Sequence, residues 1–241
     1  MKNLTMLLIV LLLSFPKYSN AQNDGAVVAG AVGALVAIGA SVAAVEQMKE
    51  RAELTATEWL LANNPRMTSF SLKTLDFDGK KLKDMSSASL ITFKIQEFMP
   101  MDQPELNGIK QVLLGFTSHG WINEYGIDFT KVQWFLIDRT EWVKMMVAYV
   151  KTASDEKNEN KVEGLLTQGK ILNRGIKVKN KAVIPFYRLS GDMYVVVDYS
   201  DAMKFIYNER SLGIFLKETR DLVQIKRSSL IEIHEFFFKN N

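Results

Sequence analysis

Cysteine is absent from the 241 residues, and histidine occurs only twice. The first absence excludes disulfides, thiol nucleophiles, cysteine metal sites and a lipid-modified cysteine behind a leader. The second leaves His119 and His234, far apart in the chain, as the only imidazoles available for acid–base or metal chemistry. His119 lies in a Ser-His-Gly-Trp turn. His234 lies close to Glu232 and Glu235, carboxylates that favour a raised pKa. A structural role is the expectation for each. No G-x-S-x-G elbow, H-E-x-x-H, phosphate-cradling G-x-x-x-x-G-K-[ST] or strand-following G-x-G-x-x-G occurs. Catalytic carboxylates meet in space rather than along a chain, yet Asp138, Glu141, Asp198 and Asp201 read adequately as caps and turn residues. No catalytic, cofactor-binding or metal-ligating residue is therefore assigned.

Net charge is also small. The formal value is +3, and two of the cations, Lys2 and Lys17, belong to a leader-like N-terminus. Lys2 supplies the charged start, Met6 to Phe15 the apolar run and Pro16 the break. Ser19-Asn20-Ala21 ends on a small residue suited to cleavage before Gln22. Residues 1–21 are thus expected to be a signal peptide, and their loss lowers the charge to +1. A chain so nearly neutral has no electrostatic footing for nucleic acid.

Charge is missing altogether from Gly25 to Val45, GAVVAGAVGALVAIGASVAAV. As a helix this stretch puts Val28, Val32, Leu35, Ile38, Val42 and Val45 on one side. Ala26, Gly30, Gly33, Ala37, Ala40 and Ala44 form a small-residue stripe on another, the kind of surface along which helices associate in lipid. Its length, roughly 32 Å, matches a hydrocarbon core of about 30 Å. Its large apolar residues favour insertion by roughly 2.5 to 5 kcal/mol. Its glycines cost a helix about 1 kcal/mol each. The two totals are comparable. A membrane span that associates along the small face is the first expectation, and a soluble helix packed in a core or interface the second. If the stretch spans, Lys49 and Arg51 place its C-terminal flank in the cytoplasm; if it does not, the domain follows the leader out.

The helix is expected to run on from Ala26 to about Ala62, a stalk that docks through Trp59 and Leu60 and stops at Asn63-Asn64-Pro65. From Thr68 the apolar period changes to two, with a phase slip near Thr74 that implies a bulge. Asp78-Gly79 reads as a hairpin turn; the ligands that would make it a calcium loop with Asp76 are missing. Strands are expected around Ile91 to Ile95 and over 109–117, 121–129 and 131–137. Asp138-x-x-Glu141 caps an amphipathic helix over about 139–152. Asp155 to Lys161 (DEKNENK) reads as an exposed linker, with a subdivision of the domain possible near 153–163. Further strands are expected over 170–179, 182–189, 193–199, 203–207, 212–217 and 222–226. Pro185 makes the second of these an edge or a bulged strand. Ser229 and Glu232 offer a capping box for a last helix through Phe238, although the alternation of Ile231 and Ile233 with Glu232 and His234 also suits a strand.

The fold class expected is α+β: a long Ala/Gly-rich N-terminal helix and stalk over 22–64, then a mainly antiparallel domain over 65–241. Lys170, Arg174, Lys177, Lys179 and Lys181 form a basic run with no acid among residues 169–181, suited either to a solvated hairpin face or to an acidic partner or lipid headgroups. Trp121, Trp134 and Trp142 occupy apolar phases that serve a core as well as binding. The functional expectation is an exported, membrane-associated assembly or protein-interaction component of the cell envelope. Its partner would be a protein or a second copy reached through the N-terminal helix. The alternative is a soluble envelope ligand-binding protein or hydrolase with that helix packed in its core.

Overall fold

The computed structural model describes residues 42–76, 90–116, 122–123, 126–127, 131–172, 174–179 and 181–239. In chain order the elements are α1 (Val42–Asn63), β1 (Phe70–Asp76), β2 (Leu90–Glu97), β3 (Lys110–Phe116), β4 (Ile122–Asn123), β5 (Gly126–Ile127) and β6 (Gln133–Asp138). They continue as α2 (Arg139–Ala153), α3 (Glu159–Gln168), β7 (Lys170–Leu172), β8 (Gly175–Val178) and β9 (Lys181–Pro185). Last come β10 (Val195–Asp198), β11 (Met203–Tyr207), β12 (Ser211–Leu216), β13 (Leu222–Lys226) and α4 (Arg227–Phe238). The class is α+β, and every strand pairing among the described residues is antiparallel. The leader, the Asp78-Gly79 turn, His119 and Trp121 lie outside the described residues, as do Ala26, Gly30, Gly33, Ala37 and Ala40. Ala44 falls in the first turn of α1.

The first sheet has the order β1-β2-β3-β6 and is apolar on both faces. Ile91, Phe93 and Ile95 leave β2 on one side with Leu113 of β3, and α1 covers them. Ala52, Ala56 and Leu60, spaced one helical turn apart, are the buried stripe of α1. Two alanines in that stripe let the helix axis lie close to the sheet. Trp59 of α1 meets Trp134 of β6 at 6.0 Å between ring centroids, and Trp134 meets Phe93 at 6.1 Å. Gly115, opposite Trp134, leaves room for that indole, because a Cβ there would stand 3.0 Å from the ring. The described part of the expected stalk is thus a helix laid on a sheet, docked through Leu60 and Trp59.

The bulge expected near Thr74 is present: the register shifts between Thr74 and Asp76, and Leu75 turns to the opposite face of the sheet. Glu53 of α1 accepts from the Thr74 backbone N–H at 3.0 Å and from its hydroxyl at 2.6 Å. Helix and bulge are thereby tied together.

The second face of the sheet carries Val112, Leu114, Phe116 and Ile137 into a larger core. Against it pack α2 and α4, and beyond these the sheet β10-β11-β12-β13. Phe205, Ile214 and Val223 stand opposite one another across three strands of that sheet, as do Tyr207, Leu212 and Ile225. All six are buried. The small sheet β7-β8-β9 closes the core with Ile171, Ile176 and Ile184. This core takes residues from both sides of 153–163.

Several expectations needed correction. Residues 170–179 are not one strand: the chain reverses between Leu172 and Gly175, where Gly175 has φ +139° and a Cβ would meet the Ile184 carbonyl oxygen at 2.0 Å. Within 121–129, Ile122–Asn123 pairs with Gly126–Ile127, a short hairpin in place of a straight strand. The polar stretch 155–161 is a loop only to Asn158, which caps α3 by accepting from the Lys161 N–H at 3.1 Å. The last helix begins at Arg227, directly after β13, so Ser229 lies inside it and forms no cap. Helix wins over strand there because Leu230, Ile233, His234 and Phe237 are all buried at helical spacing. Pro185 does end an edge strand, β9, as its missing N–H requires.

Candidate functional site

A concavity of about 1000 Å³ opens between α2, α3 and the edge strand β10. Its helical wall follows from the amphipathic pattern of α2. Trp142, Met145, Met146, Tyr149 and Val150 turn into the core, which leaves Val143, Val147 and Ala148 facing the groove. The opposite wall is β10. Val195 and Val197 stand across from Tyr207 and Phe205, so they continue the buried face of the sheet past the point where α2 covers it. Val197 is 38% exposed and Val196, on the other face, 45%. Met193 and Tyr194, just before the strand, are exposed as well.

Two tyrosines tie the chain on either side of β10 to the two ends of α2. The Tyr199 hydroxyl donates to Glu141 Oε1 at 2.6 Å, linking the end of β10 to the first turn of α2. Burial, and the hydrogen bond to Glu141, push the Tyr199 phenol far above its ordinary value, so it stays a donor. Its ring stacks on Phe205 at 4.2 Å. At the other end the Tyr187 hydroxyl donates to Asp155 Oδ1 at 2.6 Å, and the Tyr187 N–H donates to the Ala153 carbonyl at 2.7 Å.

Backbone chemistry distinguishes the β10 wall. Its partner β11 satisfies the N–H and C=O groups on one side only. The groups on the other side make no hydrogen bond to a described residue. Lys144, Lys151 and Lys157 line the helical wall together with Glu159 and Glu163. Lys151 pairs with Glu159 at 2.5 Å, and Lys157 donates to the carbonyls of Lys151 and Ser154.

The carboxylates considered from sequence do not converge. Asp138 Oδ1 caps α2, accepting from the Glu141 N–H at 2.8 Å, and Glu141 is engaged by Tyr199. Asp198 leaves β10 on the face away from Tyr199 and pairs with Lys217 at 2.8 Å, a bond that holds its pKa below the usual range. Asp201 is exposed in the turn between β10 and β11.

His234 is a core residue. Its Nε2 lies 3.0 Å from the Leu166 carbonyl, and the Trp142 Nε1–H points at its Nδ1 at 3.3 Å. The neutral tautomer with the proton on Nε2 satisfies both bonds. Burial pulls the pKa down to about 4, against the raised value that Glu232 and Glu235 suggest from sequence. No group of three or more metal-ligating side chains occurs among the described residues.

The basic run is divided by the hairpins. Lys170 and Lys177 are directly opposite across the β7–β8 ladder, and Lys179 and Lys181 flank the adjoining β8–β9 turn. Arg174 sits at the other end of β8. Trp134 and Trp142 are packing residues, the first half-buried beneath α1 and the second fully buried.

Sequence reasoning placed a strand over 193–199 but did not find the groove. The available signal was Val195-Val196-Val197, three apolar residues covering both faces of a short strand. Strand order, which leaves one edge of β10 without a described neighbour, is not written in the segment itself. No protein-family model, curated protein or solved structure matches the chain.

Proposed function

We propose that this chain is an exported, membrane-associated protein-interaction component that captures an extended segment of a partner polypeptide along β10. The observation that carries the reading is the β10 edge, which no described strand covers, beside a groove where valines of α2 and β10 face each other among charged side chains. An edge strand with free backbone groups is a template for another chain. Only Asp198, at the end of this four-residue strand, carries a charge, and Val195 to Val197 leave the rest of the edge apolar. Added as a fifth strand, a partner segment would bond to the β10 backbone. Alternate side chains would drop between Val197 and the Val143–Val147 face of α2.

Membrane association rests on the leader and on Gly25 to Val45. Ala26, Gly30, Gly33, Ala37, Ala40 and Ala44 would form the face for self-association or for a partner helix. The globular domain needs no catalytic group for this role.

A photo-crosslinking residue at position 196 tests strand capture along the β10 edge in cells. A discrete adduct with one polypeptide is expected from position 196 and none from position 226 on β13. The Val197→Lys substitution should abolish that adduct while leaving the thermal midpoint within a degree or two. No adduct from any β10 position would reject strand capture. Carbonate washing of membranes tests the anchor separately. The chain should stay in the pellet, and its release would favour the soluble ligand-binding or hydrolase alternative with the Ala/Gly segment packed.

A further inference from the structure

We infer that the β7–β8–β9 sheet is a second binding surface, independent of the groove, that takes anionic phospholipid headgroups. The sheet has one apolar and one basic side. Ile171, Ile176 and Ile184 are buried in the core, so the neighbouring ladder positions point outward, and Lys170 and Lys177 meet there as a directly opposed pair. Like charges placed directly opposite in an antiparallel pair are destabilising. No ion pair among the described residues offsets this. Residues 169–181 contain no acid, and none of Lys170, Arg174, Lys177, Lys179 and Lys181 forms an ion pair with a described residue.

Lys179 adds a further cation in a turn with φ +47°, a left-handed conformation that lysine rarely adopts. It stands next to Lys181, at the same end of the sheet as Lys170 and Lys177. All five side chains are exposed. The sequence thus holds four lysines together at one end of a small sheet at a cost in stability, and an array of negative charge would relieve that repulsion.

Charge complementarity identifies an anion, and the form of the surface identifies a lipid rather than an acidic protein. Protein contacts are dominated by aromatic or arginine anchors seated in pockets. Here the clustered cations are lysines, flexible point charges with no aromatic residue among positions 169–181. A plane of phosphate headgroups asks only for reach and charge, about 1 kcal/mol per cation near an anionic surface, or roughly fivefold in partitioning each.

The test is sedimentation of the mature full-length chain with vesicles of phosphatidylcholine alone or with one quarter phosphatidylglycerol. Phosphatidylglycerol should raise binding, and 0.5 M salt should remove that increment. Lys170→Gln with Lys177→Gln should lower the phosphatidylglycerol-dependent part about 25-fold, while its thermal midpoint stays level or rises as the like-charge pair is relieved. Binding through Gly25 to Val45 would be equal on both vesicles and insensitive to salt, so loss of the anchor and loss of the basic surface give different results. Three outcomes would overturn the inference: no preference for phosphatidylglycerol, a preference that survives the double substitution, or lysine-dependent binding to polyglutamate without binding to the vesicles.

Discussion

His234 illustrates how a residue with chemical potential is spent on structure. It is 3% exposed, stacked on Phe238 at 4.5 Å and bonded at both ring nitrogens. A pKa of about 4 in the folded chain, against about 6.5 when unfolded, means that the unfolded state binds more protons between those values. Stability from this residue is therefore complete above pH 6.5 and is lost as pH falls toward 4. Between pH 7.5 and pH 5 the loss should be about 2 kcal/mol. The His234→Phe variant should be less stable at pH 7.5 by roughly 1 to 3 kcal/mol, because it orphans the Trp142 N–H and the Leu166 carbonyl. It should also lack that part of the pH dependence. Urea midpoints of both proteins at pH 7.5 and pH 5 measure the difference, and parallel pH slopes would place the titration elsewhere. The sequence lists two glutamates beside this histidine, and they suggested a shift in the wrong direction. Burial, which sets the sign, appears only when Leu166 and Trp142 close over the ring.

At the scale of elements, α2 governs the groove because its outer face is one wall and its first turn holds Tyr199. The Asp138 cap fixes that turn. Asp138→Ala should cost about 1 kcal/mol in chemical unfolding and speed exchange of the Glu141 amide proton, whereas Asp138→Asn should lose much less. Equal losses from both variants would show that the charge, not the hydrogen bond, is what matters. This helix was legible from sequence because cap, apolar period and length agree over 15 residues. Helix α3 was not. Its apolar side chains, Val162, Leu165 and Leu166, span little more than one turn, and they follow a stretch whose polarity resembles a linker. The reversal after Leu172 was missed for a related reason: Ile171 and Ile176 are buried on both sides of it, so the apolar pattern continues through the turn. Strand positions in 193–226 were read well because each run is short and bounded by turn residues. Strand order was out of reach, and with it the β10 edge that no described strand covers, since pairing partners depend on how distant segments pack.

On the scale of the whole molecule, one sheet belongs to two cores, and this makes a specific demand on how the chain unfolds. Strands β2 and β3 send Phe93, Ile95 and Leu113 toward α1, while Val112, Leu114 and Phe116 go toward α2 and α4. Neighbouring residues of one strand therefore serve opposite cores, and loss of either core exposes apolar residues of a strand that the other still holds. Links at the sheet surface add to this: Lys94 of β2 pairs with Glu232 of α4 at 2.9 Å, and Lys110 of β3 donates to the Lys239 carbonyl at 3.1 Å. The described residues should thus unfold in a single cooperative step, with no resting intermediate that keeps one core. Leu60→Ala opens space in the outer core and Ile214→Ala in the inner one, each at about 2 to 5 kcal/mol. Trp59 and Trp134 report from the outer core and Trp142 from the inner, so tryptophan fluorescence follows both, and far-ultraviolet circular dichroism follows the helices and strands together. Either substitution should move the urea transition of both signals to the same lower midpoint. Two separated transitions, with Leu60→Ala shifting one and Ile214→Ala the other, would mean that the shared sheet does not couple the cores and that α1 with its apolar face is an independently unfolding cover.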